Sequence, residues 1–291
     1  MFKGSFPALI TPFRGGNIDE DSFREIVDWQ IYAGTDGLVP CGTTGESPTL
    51  THAEHMRVTE MCIEQARGRV PVIAGAGSNS THEAVGFVSH AKKSGADAAL
   101  VVTPYYNKPT QKGLYEHFKA VQDVGLPIVI YNIPGRSIVD MQIETMCELA
   151  KLPHIVGVKD ATADLTRPQM TRAAMGNPHF CHLSGEDSTA LPFLAAGGHG
   201  CISVTANIAP RLCADMQRAW RSCDIKTCMI LQDQLMPLHN AMFCETNPGP
   251  VKYAAKLLGK CSAEVRLPMT DIAESSKQVV RDALVGTGLL N

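Results

Sequence analysis

The chain has 291 residues, 44% of them hydrophobic, which is enough for a large core and within the length at which α/β barrels form one domain. Lysine and arginine total 26 against 29 aspartates and glutamates, a net charge of −3, so there is no broad basic field for nucleic acid or an anionic membrane. Ten cysteines, Cys62, Cys147 and Cys201 among them, lie scattered in apolar stretches with no C-x-x-C pair, and read as reduced buried thiols of a cytoplasmic protein.

The first apolar stretch, within M-F-K-G-S-F-P-A-L-I-T-P-F, is too short for a secretion signal. No run reaches the roughly 20 apolar residues of a membrane span. Short Val/Ile-rich runs then recur: F-P-A-L-I-T-P-F from Phe6, G-L-V-P-C-G from Gly37, P-V-I-A-G-A-G from Pro71 and A-A-L-V-V-T-P-Y-Y from Ala98. They continue with P-I-V-I-Y-N-I-P from Pro127, I-V-G-V-K-D-A from Ile155, F-C-H-L-S-G from Phe180 and G-C-I-S-V-T from Gly200. Continuous apolarity of this kind fits parallel strands buried on both faces.

Helical spacing fills the intervals at 19–33, 52–67, 82–94, 114–124, 142–150, 165–175 and 189–195. Eight strand runs alternating with helices predict a (β/α)8 TIM barrel over residues 1–206, with an open doubly wound sheet as the structural runner-up. Residues 207–291 carry only helical periodicity, and are expected to form a C-terminal helical extension packed on the barrel.

In such a barrel, chemistry sits at the C-terminal ends of the strands. Lys159 is the most informative residue there, because a buried-type strand runs straight into a side chain seldom fully buried. An apolar barrel mouth disfavours an ammonium, and a neutral amine adds to carbonyl carbon to form a Schiff base. From position alone, an ammonium snorkelling to the rim or gripping a phosphate explains Lys159 as well. Tyr131 ends the preceding strand, where a phenol can relay protons, or simply pack as an aromatic.

The turn G-T-T-G-E at Gly42–Glu46 is rich in backbone N–H and hydroxyl groups suited to a carboxylate, although threonine capping of a plain turn fits too. Arg136 can fork onto a carboxylate or stand as a solvated loop charge. Gly75 to Ser80 begins like a dinucleotide loop but has serine in place of the third glycine. His52 and His55 stand at a helix start without H-E-x-x-H or any metal-ligand cluster, and by default face solvent.

With Lys159, Tyr131 and G-T-T-G-E assembled, the sequence resembles the N-acetylneuraminate lyase superfamily of Schiff-base aldolases. Within it, the chain is similar to the dihydrodipicolinate (4-hydroxy-tetrahydrodipicolinate) synthase family. V-T-P-Y-Y-N-K-P, Y-N-I-P-G-R, L-S-G-E-D, G-G-H-G-C-I-S-V-T-A-N and N-P-G-P-V-K extend the likeness over essentially the whole chain.

The resemblance implies a lyase of lysine and diaminopimelate biosynthesis, in which Lys159 condenses with pyruvate and the enamine adds to L-aspartate 4-semialdehyde. It implies a proton relay of Thr44, Tyr131 and Tyr106, the last reaching into a neighbouring subunit's site. Thr43 and Thr44 would hold pyruvate's carboxylate, Arg136 that of the semialdehyde, and Gly185 and Ile202 would line the site with backbone groups. No metal or organic cofactor is implied. Feedback inhibition by L-lysine maps onto Ser47, His52, His55, Asn79, Glu83 and Tyr105, with Pro48 departing from the alanine frequent in relatives. A homotetramer built from tight dimers is the implied assembly. Alternatives are another pyruvate-dependent aldolase or lyase on the same barrel, which Arg136 disfavours, and a catalytically silent barrel that senses a ligand.

Overall fold

The computed structural model describes residues 1–291, which fall into two compact units: Met1–Lys3 with Ile73–Ile202, and Gly4–Val72 with Ser203–Asn291. In the first unit strands and helices alternate along the chain. The strands Ile73–Gly75, Ala98–Val102, Ile128–Asn132, Ile155–Asp160 and Cys181–Ser184 each pair in parallel with the next, and the last pairs with Gly200–Ser203. Ile128, Val129, Ile130, Ala98, Ala99 and Val101 are completely buried, as expected of strands covered on both faces.

Local chemistry places the intervening helices. Ser80 caps Thr81–Ser94 by accepting from the Glu83 amide, and Gly95 ends it in the left-handed region that glycine enters without strain. Thr110 caps Gln111–Gln122 in the same way. Within the dinucleotide-like stretch Gly77 has a packing explanation: a side chain there would stand 2.6 Å from the Val102 backbone nitrogen. Gly157, in the lysine strand, is equally constrained, since a Cβ there would lie 2.6 Å from the Cys181 carbonyl oxygen. Close approach of neighbouring strands therefore requires glycine just upstream of Lys159.

The second unit holds the strand Gly4–Pro7, the helices Glu20–Ala33 and His52–Ala66, and four helices near the C-terminus: Pro210–Arg221, Ile225–Ala241, Gly249–Leu257 and Glu274–Gly286. The run from Gly37 forms only two isolated parallel bridges, Ala8 to Val39 and Leu38 to Val72. Pro40 follows at once and has no N–H to extend a ladder. Asn207 secures the N-terminal segment, receiving the Ile10 amide and donating to the Ala8 and Val204 carbonyls. A small antiparallel hairpin, Phe13–Arg14 with Asn17–Ile18, turns through Gly15 and Gly16. Thr51 and Glu54 form a reciprocal capping box at the start of His52–Ala66. All ten cysteines are free, six of them buried.

Candidate functional site

In the first unit the parallel register sets Tyr131 and Lys159 side by side as Cα partners. Both are buried, at 6% exposure each, and the Lys159 Nζ lies 4.2 Å from the centroid of the tyrosine ring. A cation over the face of an aromatic ring is attracted by its quadrupole, and the neutral amine loses that attraction. Gly185 stands against the lysine: its amide donates to the Asp160 carbonyl at 2.6 Å, and a Cβ there would stand 3.1 Å from the Lys159 Cε. Ile202 is buried in the strand Gly200–Ser203.

The residues that alternate away from the lysine form a polar brace. Asp160 accepts from the Thr162 amide and hydroxyl and stands 3.4 Å from Arg167. Arg167 also donates to Asp140 at 3.1 Å and to the Met141 carbonyl at 2.6 Å. Asp140 in turn accepts from Asn132, the residue after Tyr131. The strand positions immediately following Tyr131 and Lys159 are thus connected through one partly buried arginine.

Arg136 is exposed on the short helix Pro134–Ser137. The neighbouring Ser137 hydroxyl accepts from Thr103 at 3.0 Å, linking that helix to the end of the strand Ala98–Val102. Beyond Thr103 the chain turns sharply, with Tyr106 and Lys108 at positive φ and the Tyr106 ring 89% exposed. The Asn107 amide reaches the Asn79 carbonyl at 2.8 Å, bringing the loops of Tyr105 and Asn79 together. Glu83 accepts from Ser78 at 2.7 Å in the same region.

In the second unit, the G-T-T-G-E turn is gripped at two points. The Asn247 side-chain amide donates to the Thr44 hydroxyl oxygen at 2.9 Å, and Lys252 donates to Glu46 at 2.5 Å. Lys252 is completely buried and Glu46 is 2% exposed. Burial pushes the Lys252 ammonium below its ordinary range while the Glu46 carboxylate opposes that shift. Cys41 and Glu46 both hold a φ of 55°, and Gly45 is required because a Cβ would stand 2.9 Å from the Leu9 carbonyl oxygen. The Thr11 hydroxyl donates to the Gly45 carbonyl at 2.7 Å.

Arg266 extends the grip. Its backbone amide donates to Glu46, and its guanidinium forks onto both oxygens of Glu54 at 2.9 and 2.6 Å. That fork holds Glu54 far below the usual carboxylate range, at about 2. Lys252 and Arg266 both stand over the Phe13 ring, at 4.0 and 4.3 Å from its centroid. Thr43 stands half-buried in the turn, and Ser47 begins the 3-10 turn Ser47–Thr49, with Pro48 inside it.

His52 is exposed, as its place at the helix start suggested, but His55 is 3% exposed, so the expectation of a solvent-facing histidine fails there. It shares the inner stripe of its helix with Val58, Thr59 and Cys62, at the three- and four-residue spacings of a buried face. Asn247, Lys252, Arg266 and Arg167 were not singled out as site residues from the sequence. A lysine inside the apolar helix V-K-Y-A-A-K-L-L was the available signal for Lys252; Arg167 had none.

The sequence pattern of the Dihydrodipicolinate synthetase family matches residues 1–286. The chain is 65% identical, over the full length of both, to a 4-hydroxy-tetrahydrodipicolinate synthase of Rhodospirillum centenum. Among solved structures it matches the chloride-inhibited dihydrodipicolinate synthase of Acinetobacter baumannii, complexed with pyruvate, at 43% identity and a TM-score of 0.97, covering 100% of each chain. It also matches a synthase of Cyanidioschyzon merolae with lysine bound, at 37% identity and a TM-score of 0.96, covering 99% of each. The fold class is the (β/α)8 barrel with a C-terminal helical extension that the strand–helix alternation anticipated. No helix is long and apolar enough to cross a membrane.

Proposed function

Because the chain belongs to the dihydrodipicolinate synthetase family, we propose that it condenses pyruvate with L-aspartate 4-semialdehyde through a Schiff base on Lys159. The observation that carries this reading is the Lys159–Tyr131 pair: an amine at the end of a buried strand, beside a phenol on the adjacent, preceding strand. The neutral amine adds to the ketone carbon of pyruvate, and the carbinolamine loses water to give an iminium. Loss of a methyl proton then yields an enamine, whose carbon attacks the aldehyde. The semialdehyde's own amine displaces Lys159 and closes the ring.

Tyr131 and Thr44 shuttle the protons of carbinolamine formation and dehydration. Tyr106 supplies the third relay group to the site of a neighbouring copy. Its 89% exposed ring on a left-handed backbone supports that assignment, because a large aromatic held out to solvent is otherwise costly to maintain. Thr43 and Thr44 bind pyruvate's carboxylate, Arg136 takes that of the semialdehyde, and Gly185 and Ile202 offer backbone groups. L-lysine inhibits from a separate site of Ser47, His52, His55, Asn79, Glu83 and Tyr105. The assembly is a homotetramer built from tight dimers, working in the cytoplasm in lysine and diaminopimelate synthesis.

Incubation with pyruvate and borohydride, followed by peptide mass spectrometry, tests the chemistry. A reduced pyruvate adduct on Lys159 and turnover of the semialdehyde are expected. An adduct without that turnover would point to another pyruvate-dependent aldolase, and no adduct would end the Schiff-base reading.

A further inference from the structure

We propose that Asn247 is a positioning residue that fixes the direction in which Thr44 passes a proton. The inference rests on the Schiff-base reading above and adds a residue to it. Thr44 is 3% exposed, and its hydroxyl oxygen accepts from the Asn247 amide at 2.9 Å. Asn247 is itself 5% exposed, so no bulk water competes for that bond. A hydroxyl carries one proton and two lone pairs.

The amide occupies one lone pair, and a carboxamide neither takes up nor releases a proton near neutrality. One lone pair therefore remains to receive a proton and one O–H to give one, both directed away from Asn247. If the partner were an acceptor, the hydroxyl's single proton would be committed to it and Thr44 could no longer donate to a departing hydroxide. The bond is held from both sides. Asn247 lies just before the helix Gly249–Leu257, whose Lys252 grips Glu46, two residues beyond Thr44. Displacement of the turn relative to the amide is thereby opposed at a second point.

Asn247→Asp replaces the donor with an acceptor of nearly the same shape. At about pH 8 it is expected to lower kcat roughly 100-fold, the scale of one acid–base group, with pyruvate KM changed less than about threefold. Burial raises the new carboxyl's pKa, and its protonated form donates again, so activity relative to wild type should recover toward about pH 6. Asn247→Ala removes the donor without adding an acceptor, and is expected to lose about tenfold in kcat at every pH. The alanine variant keeps the test available if the aspartate variant does not fold.

Borohydride trapping on the wild-type enzyme is run alongside. If wild type forms no adduct on Lys159, the Schiff-base reading falls and the proposal falls with it. If wild type forms the adduct but Asn247→Ala keeps wild-type kcat, the role of Asn247 is overturned and the reading stands. The same holds if Asn247→Asp loses activity without recovery in acid, because a merely structural asparagine predicts a loss independent of pH.

Discussion

Tyr131 and Lys159 face each other across one step of a parallel ladder, with the amine 4.2 Å from the ring centroid. Ring and hydroxyl therefore do separable work: the face packs against the lysine, and the phenol is free for proton transfer. Tyr131→Phe keeps the first and deletes the second. Its kcat is expected to fall roughly 100-fold while the melting temperature stays near that of wild type. Turnover close to wild type in steady-state assays would remove Tyr131 from the relay.

The buried Lys252–Glu46 pair makes a stability prediction of the opposite kind. Lys252→Met leaves the Glu46 carboxylate without its cation at 2% exposure, and removing one partner of a buried pair costs about 3–5 kcal/mol. Neutralising Glu46 as well, in Glu46→Gln with Lys252→Met, should return part of that loss. Urea denaturation of both single variants and the double variant measures the coupling; additive losses would show that the two groups do not stabilise each other.

Acid sensitivity follows from two histidines outside the site. His117 is paired through Nδ1 with the Thr81 hydroxyl, and His182 stacks on His199; burial pulls the pKa of each down to about 4 from an ordinary 6.5. Below 6.5 the unfolded chain binds protons that the folded chain refuses, so stability falls with pH until the folded groups titrate near 4. Between about pH 7 and pH 5 each histidine should cost on the order of 2 kcal/mol. Glu54, held at about 2, stays ionised in the folded state, and its own contribution is lost mainly below that interval, as pH falls through the ordinary carboxylate value of 4.5 toward 2. His182→Gln should flatten the dependence of the urea midpoint on pH; an unchanged slope would exclude His182 as a cause.

Gly157 ties stability to catalysis. A methyl group there meets the Cys181 carbonyl oxygen and Cβ at 2.6 and 2.7 Å, and the oxygen belongs to a strand that cannot swing aside. Gly157→Ala should destabilise by about 1–3 kcal/mol, as overpacking does, and should also lower kcat because Lys159 is two residues further along the displaced strand. Thermal melts and initial rates test both halves. A stable but slow variant would indicate that strain is relieved by moving the lysine rather than by opening the sheet.

What the sequence disclosed depended on range. Apolar runs marked the strands and, with the strand-end rule, Lys159 and Tyr131, because a strand's burial and its terminus are both local properties. The hairpin at Phe13–Ile18 has no periodic signature because each strand is two residues long, although Gly15-Gly16 is a turn signal. A place at the helix start suggests solvent for His55 as for His52, but its burial is set by the stripe it shares with Val58, Thr59 and Cys62 downstream. The grips on Thr44 and Glu46 come from residues 203 and 206 positions away, and nothing in a local window encodes such a partner.

That separation has a cost during synthesis. Glu46 leaves the ribosome 206 residues before the lysine that will neutralise it, an interval of about 10–40 s at ordinary elongation rates. Throughout, the nascent turn must keep its carboxylate hydrated and its left-handed residues unset. The unit that contains Thr44 draws on Ser203–Asn291 and cannot close until nearly the whole chain has emerged, whereas Ile73–Ile202 is a continuous stretch available well before. A messenger truncated before the Asn247 codon would therefore yield a chain with the sheet of Tyr131 and Lys159 in hand and the Gly42–Glu46 turn without its partners Asn247 and Lys252.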